Sequence, residues 1–107
     1  MTAAAVSRRG RLDFAAINRA ALANLPALLR RWLPDGRLVG REYVARNPTR
    51  ADMRPGSFRI NIRTGKWSDF ATGAKGGDAI SLAAYLAGQT QYEAARALAD
   101  MLGVSND

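Results

Sequence analysis

The sequence of 107 residues predicts an α+β domain: a small antiparallel sheet flanked by an N-terminal and a C-terminal pair of helices. Three observations predict it. Apolar residues recur at helical spacing over residues 14–33 and again over 78–102. Between them, Ser57-Phe58-Arg59-Ile60-Asn61-Ile62-Arg63 alternates strictly, which is the period of a half-buried strand. Thr64-Gly65 then supplies a turn, and Lys66-Trp67-Ser68-Asp69-Phe70 returns as the partner strand. A chain of this length holds one domain, here residues 12–107.

Residues 1–11 lack periodicity and carry Arg8, Arg9 and Arg11, so they read as a flexible basic arm. A targeting segment is the competing reading, although the apolar face of this stretch is poor. Asp13 caps a first helix from about Phe14 to Ala23, with Phe14, Ile17, Ala20 and Ala21 on one face. Asn24 resets the chain, and Leu25-Pro26 opens a second helix, where proline's missing N–H is not needed. Leu25, Leu28, Leu29, Trp32 and Leu33 form its apolar stripe, and Pro34-Asp35-Gly36 ends it in a turn. Residues 37–46 read as one bent strand or two short ones, broken at Gly40. Residues 47–55 are a loop, and residues 71–77 a Gly-rich connection. Asp78 caps a helix to about Ala87 that is apolar nearly all round and therefore buried. Gly88 ends it. Thr90-Gln91-Tyr92-Glu93 is a capping box for the last helix, packed through Ala94, Ala95, Leu98, Met101 and Leu102, with Gly103 as its C-terminal cap.

Charge narrows the function. Sixteen Lys and Arg against nine Asp and Glu give +7, and the excess is uneven. Residues 1–66 hold 14 basic and 4 acidic side chains, whereas residues 67–107 hold 2 and 5. Such asymmetry fits a phosphate-facing front and a neutral back. Genome composition explains 14 Arg against 2 Lys but not the scarcity of acids in the first two-thirds. No cysteine or histidine is present, which excludes disulfides, thiol nucleophiles, His-based acid–base chemistry and nearly every zinc site. No apolar run approaches the ~20 residues of a membrane span. Met1–Val6 is too short and too weakly apolar for a secretory signal, so the expectation is a cytoplasmic protein that meets no membrane.

Several motifs recur in a familiar order: Asn47-Pro48-Thr49-Arg50, Pro55-Gly56-Ser57-Phe58, then residues 64–73 (TGKWSDFATG), then Gly76-Gly77-Asp78 opening a buried helix. Over about residues 43–103 this resembles the N-terminal zinc-ribbon domain of bacterial-type DNA primases, in the version carried by primase–helicase proteins of phages, plasmids and other mobile elements. In that family a Cys-Pro-x-His pair precedes a Pro-Ser-Phe strand, and Cys-x-x-Cys follows the hairpin. The resemblance puts the four ligand positions at Asn47, Arg50, Asp69 and Thr72. None is a thiolate or imidazole, and an arginine repels a cation, so the ribbon is expected to hold no metal and no cofactor. An Arg50–Asp69 ion pair across the old metal position is the expected substitute, with the N-terminal helices enlarging the core.

The hairpin fixes which side chains meet a ligand. A two-residue turn pairs Ile62 with Trp67, Ile60 with Asp69 and Arg59 with Phe70, leaving Phe58, Ile60, Ile62 and Trp67 on the core face. The other face then holds Ser57, Arg59, Asn61, Arg63, Lys66, Ser68 and Phe70. A three-residue turn with a glycine bulge exchanges Trp67 for Phe70 as the exposed ring. Either way, cations and one aromatic share a face, the combination that suits single-stranded nucleic acid, although an ordinary solvated face has the same composition. Arg50, Arg54 and Lys75 extend the patch on flanking loops. Gly76-Gly77-Asp78 reads as a helix cap rather than a phosphate cradle, because the Asp78 carboxylate occupies the free N–H groups.

Catalysis is not expected, since no set of carboxylates converges on a metal and the resembling proteins carry nucleotidyl transfer on a separate domain. Two functions follow. One is a binding module engaging single-stranded or template DNA in replication of a mobile element, beside a primase, helicase or other replication protein. The alternative is an interaction or inhibitor module that docks on a protein partner through its neutral helical back.

Overall fold

A computed structural model describes residues 12–104; the expected basic arm at residues 1–11 lies outside the described residues. Four helices and five strands follow in the order α1 (Phe14–Ala23), α2 (Leu25–Trp32), β1 (Arg37–Val39), β2 (Glu42–Ala45), β3 (Phe58–Asn61), β4 (Trp67–Asp69), β5 (Ala74–Gly76), α3 (Ala79–Ala87) and α4 (Gln91–Leu102). The sheet is an antiparallel meander in chain order, β1-β2-β3-β4-β5. The α+β class and both helix pairs are as the sequence predicts.

Local chemistry explains the ends. Asp13 accepts from the Ala16 N–H at 3.0 Å, and Asn24 closes α1 by donating its amide to the Ala20 carbonyl at 2.8 Å. The Thr90–Glu93 capping box closes in both directions, at 2.9 and 3.0 Å. Asp78 accepts from Ser81 N–H at 2.8 Å, and Asn18 of α1 reaches the same helix start. Its Oδ1 accepts from Ile80 N–H at 3.1 Å and its amide donates to Asp78 Oδ2 at 3.2 Å. That helix N-terminus is therefore capped twice, once from 60 residues away, and offers no cradle to an anion.

The core has two parts. Leu25, Leu29 and Leu33 of the α2 region, Tyr43, Ala45, Phe58, Ile60 and Trp67 of the sheet, and Leu82 of α3 form one. Ile17 and Ala21 of α1, Ile80 and Ala84 of α3, and Ala94, Ala95 and Leu98 of α4 form the other. Trp32 touches both. Every sheet residue in these clusters lies on one face, so the helices stack on that face alone. Phe14 and Met101, expected on packing stripes, stand at the margin and are 36% and 46% exposed.

Three expectations need correction. The hairpin does not turn on two residues. Asn61 N–H donates to the Lys66 carbonyl at 2.8 Å, leaving residues 62–65 as the loop. The Asn61 side chain causes this: its Oδ1 accepts from Arg63 and Thr64 N–H, and Gly65, at φ +81°, closes the loop onto the Asn61 carbonyl. Ile60 therefore faces Trp67, and Phe58 faces Asp69. The slip is two residues, an even number, so every side chain keeps its expected face. Trp67 is buried, Phe70 is exposed, and Ile62 and Arg63 leave the strand for the turn. Finally, the Gly-rich connection contains β5. Gly76 lies so close under Trp67 that a Cβ would collide with the indole and with Ser81, which explains glycine in an edge strand.

Candidate functional site

Two polar centres occupy opposite faces of the sheet. On the helix side, Asp69 is wholly buried, with 0% exposure, beside Asn47 at 1%. Its Oδ2 accepts from Arg50 Nε and from the Asn47 amide, both at 2.8 Å. Its Oδ1 accepts from Ala71 N–H at 2.9 Å and from Arg50 Nη2 at 3.3 Å. The expected Arg50–Asp69 pair is thus present as a fork. Arg50 also donates to Ser57 Oγ at 2.9 Å and meets Asp52 at 3.2 Å. Asn47 donates on to the Tyr85 hydroxyl at 2.8 Å, and that ring stacks at 4.7 Å against Trp67. The Arg50 guanidinium, helped by Asn47, Ala71 and Ser57, overcomes the burial penalty and holds the Asp69 carboxyl well below the usual carboxylate range.

The chain brings these residues together through two similar turns. Asn47 Oδ1 accepts from Thr49 N–H at 2.9 Å, as Asp69 Oδ1 does from Ala71. The Asn47 carbonyl accepts from Arg50 N–H at 3.4 Å, and the Asp69 carbonyl from Thr72 N–H at 3.2 Å. Both are Asx turns, which short polar side chains favour.

The opposite sheet face carries no helix. Register places Arg37, Val44, Arg59, Ser68 and Lys75 in one row across all five strands. At the spacing of neighbouring strands this row spans roughly 19 Å. Beside it lies an open depression of about 290 Å³, lined by Glu42, Arg59, Asn61, Lys66, Ser68 and Lys75 among others. Arg59 is held there, donating to Glu42 at 3.1 Å and to the Gly56 carbonyl at 2.8 Å. Lys66 and Lys75 are exposed and make no ion pair among the described residues.

Of the eight residues singled out from the sequence, Arg59, Asn61, Lys66 and Lys75 converge on this depression. Arg63 sits in the adjoining turn and Arg54 in the 47–55 loop, both exposed. Phe70 is 73% exposed just past the end of β4, its N–H donating to Ser57. Arg50 belongs to the buried centre instead, its guanidinium engaged by Asp69, Asp52 and Ser57. Sequence reasoning missed Arg37 and Glu42. Their strands are three and four residues long, too short for alternation to fix which side chains face out.

Among the described residues no three His, Cys, Asp or Glu side chains cluster as metal ligands, and no helix is long and apolar enough to cross a membrane. A separate apolar hollow of about 430 Å³ lies among Trp32, Ala83, Leu86, Ala94, Leu98 and Met101. No family model matches the chain, and no curated protein does.

Proposed function

We propose that this chain is a non-catalytic binding module that engages single-stranded DNA on its uncovered sheet face, as its resemblance to the zinc ribbons of mobile-element primases implies. The observation that carries the reading is that face. Arg37, Arg59 and Lys75 stand in one row across the strands with Lys66 beside it, all but Arg59 make no ion pair among the described residues, and an exposed ring flanks them. Cations track phosphates and a ring stacks on any base, which is the chemistry of sequence-tolerant single-strand binding.

The two facing Asx turns support the resemblance. They lie at the two ligand pairs that the resemblance marks, Asn47 with Arg50 and Asp69 with Thr72, and the Arg50–Asp69 pair joins them. The residues themselves do not fit zinc: Asn47, Arg50, Asp69 and Thr72 include no thiolate or imidazole, and Arg50 brings its own positive charge to the centre. The core built by α1 and α2 supplies the cohesion that a metal would otherwise give.

Binding of labelled single-stranded oligonucleotides, measured against salt, tests this. Contacts from Arg37, Arg59, Lys66 and Lys75 predict a log–log slope of about −3, since each single-strand phosphate contact contributes about 0.7. Replacing Lys66 and Lys75 with alanine should flatten it by about 1.4. Phe70→Ala should cost about 1–3 kcal/mol of binding and leave the slope unchanged, because stacking releases no counterions. Absence of binding at low salt, or indifference to both lysines, would overturn the reading. The apolar hollow beside α3 and α4 then favours the second one, a module that docks on a replication protein such as a primase or helicase.

A further inference from the structure

One carboxylate stands in the middle of an otherwise cationic face, and a purely phosphate-tracking surface has no use for it. Glu42 lies directly opposite Asn61 across β2 and β3, so their side chains rise together from the outer face, about 5 Å apart at Cβ. Each has one polar atom committed and one open. Glu42 Oε1 accepts from Arg59 at 3.1 Å, and no other described residue bonds Oε2. Asn61 Oδ1 accepts from Arg63 and Thr64 N–H at 2.8 and 3.2 Å, which fixes the orientation of the amide. Its Nδ2 is left without a partner among the described residues. The depression therefore presents an acceptor and a donor side by side, with Lys66 and Lys75 on its wall.

We infer that Glu42 and Asn61 form a base-reading subsite for one nucleotide of the bound strand, selecting bases with an exocyclic amino group beside a ring-nitrogen acceptor. Cytosine and adenine carry that pair on the Watson–Crick edge. The amino group donates to Glu42 Oε2, and the ring nitrogen accepts from Asn61 Nδ2. Thymine presents a carbonyl oxygen where the amino group should be, and it faces the Glu42 carboxylate with no proton between them. A carboxylate accepting from the cytosine amino group is an established pairing for base readout. Arg59 acts as the positioning residue, holding Glu42 from a backbone already fixed at Gly56. The depression is open to solvent, so a base of a strand lying across the face can enter it.

This inference rests on the single-strand reading, and the experiment separates the two. Anisotropy titrations compare oligo-dC with oligo-dT of equal length at pH 8 and low salt. The native protein should bind oligo-dC at least about fivefold more tightly, the lower end of a base-specific contact. Glu42→Gln should bring the two affinities within about twofold. Asn61→Asp, which keeps the turn acceptor but removes the donor, should do the same, and both variants should retain the native circular dichroism. Equal, salt-sensitive affinities for the two strands in the native protein would overturn the subsite and leave strand binding standing. A preference that survives both substitutions would overturn the assignment to Glu42 and Asn61. Absence of binding to either strand would overturn the single-strand reading and the subsite with it.

Discussion

The molecule contains two arginine–carboxylate pairs of nearly equal sequence separation, and they do opposite work. Arg50 and Asp69 meet at 2.8 Å with the carboxylate side chain at 0% exposure. Arg59 and Glu42 meet at 3.1 Å with both side chains more than one-third exposed. The first pair is closed: every Asp69 oxygen has two donors, and the guanidinium has further partners in Ser57 and Asp52. The second pair is open, with acceptor capacity left over on Glu42. Identical chemistry is thus architecture where water is excluded and, in the proposed function, part of a recognition surface where it is not, because an ion pair in water contributes about 0–1 kcal/mol while a buried one cannot be broken cheaply.

The largest expected effect follows from breaking the closed pair. Asp69→Ala leaves the Asn47 amide and the Arg50 guanidinium facing a vacated buried site, a loss of about 3–5 kcal/mol. Against a total stability of about 5–15 kcal/mol, that is a large fraction. Chemical denaturation of Asp69→Ala, Arg50→Ala and the double variant should reveal strong coupling, with the double variant much less unstable than the sum of the singles. Additive losses would mean that the two residues act independently.

Acid sharpens the same comparison. The folded carboxyl of Asp69 ionises well below its unfolded value of about 3.9. A depressed folded pKa contributes stability that is fully present above about pH 5 and is lost as pH falls through the unfolded value toward the folded one. The thermal midpoints of the native protein and Asp69→Asn should therefore be far apart at pH 6 and converge toward pH 2. A gap that stays constant over that range would show that the Asp69 charge is not what stabilises the fold.

How much of this was legible in the sequence depends on how local each signal is. The helix caps at Asp13, Asp78, Thr90 and Gly103 were legible because each signal spans at most four residues, and so was the hairpin's core face, which strict alternation sets. The register was not, because Asn61 disguises itself: as a strand residue it continues the alternation, and as an Asx turn it ends the strand two residues early. β5 was not legible because Ala74-Lys75-Gly76 has almost no side chain to show a pattern, and its glycine answers to the Trp67 ring above it. The Arg50–Asp69 pair came from a resemblance across 19 residues of spacing, not from any periodicity. Asn18 at the start of α3 and Glu42 opposite Asn61 depend on contacts across 62 and 19 residues, and nothing adjacent to either announces its partner.

The smallest expected effect concerns the open pair, and it is informative because it is small. Both Glu42 and Arg59 keep water contact when folded, so neither is stranded when the other is removed. A double-mutant cycle of Glu42→Ala and Arg59→Ala should give a stability coupling below about 1 kcal/mol, further reduced by high salt, since exposed pairs are screened over about 10 Å at 0.1 M. The same cycle read by oligonucleotide affinity should behave differently. Glu42→Ala frees the Arg59 side chain from its partner and removes a charge that repels phosphate, so affinity for oligo-dT should rise. Arg59→Ala should lower affinity, and in the double variant the gain should shrink, because the guanidinium it released is gone. Coupling that is weak in folding and present in binding would mark Arg59 and Glu42 as surface machinery. Strong coupling in folding would instead place this pair with Arg50 and Asp69 as part of the scaffold, and the contrast between the two faces would fail.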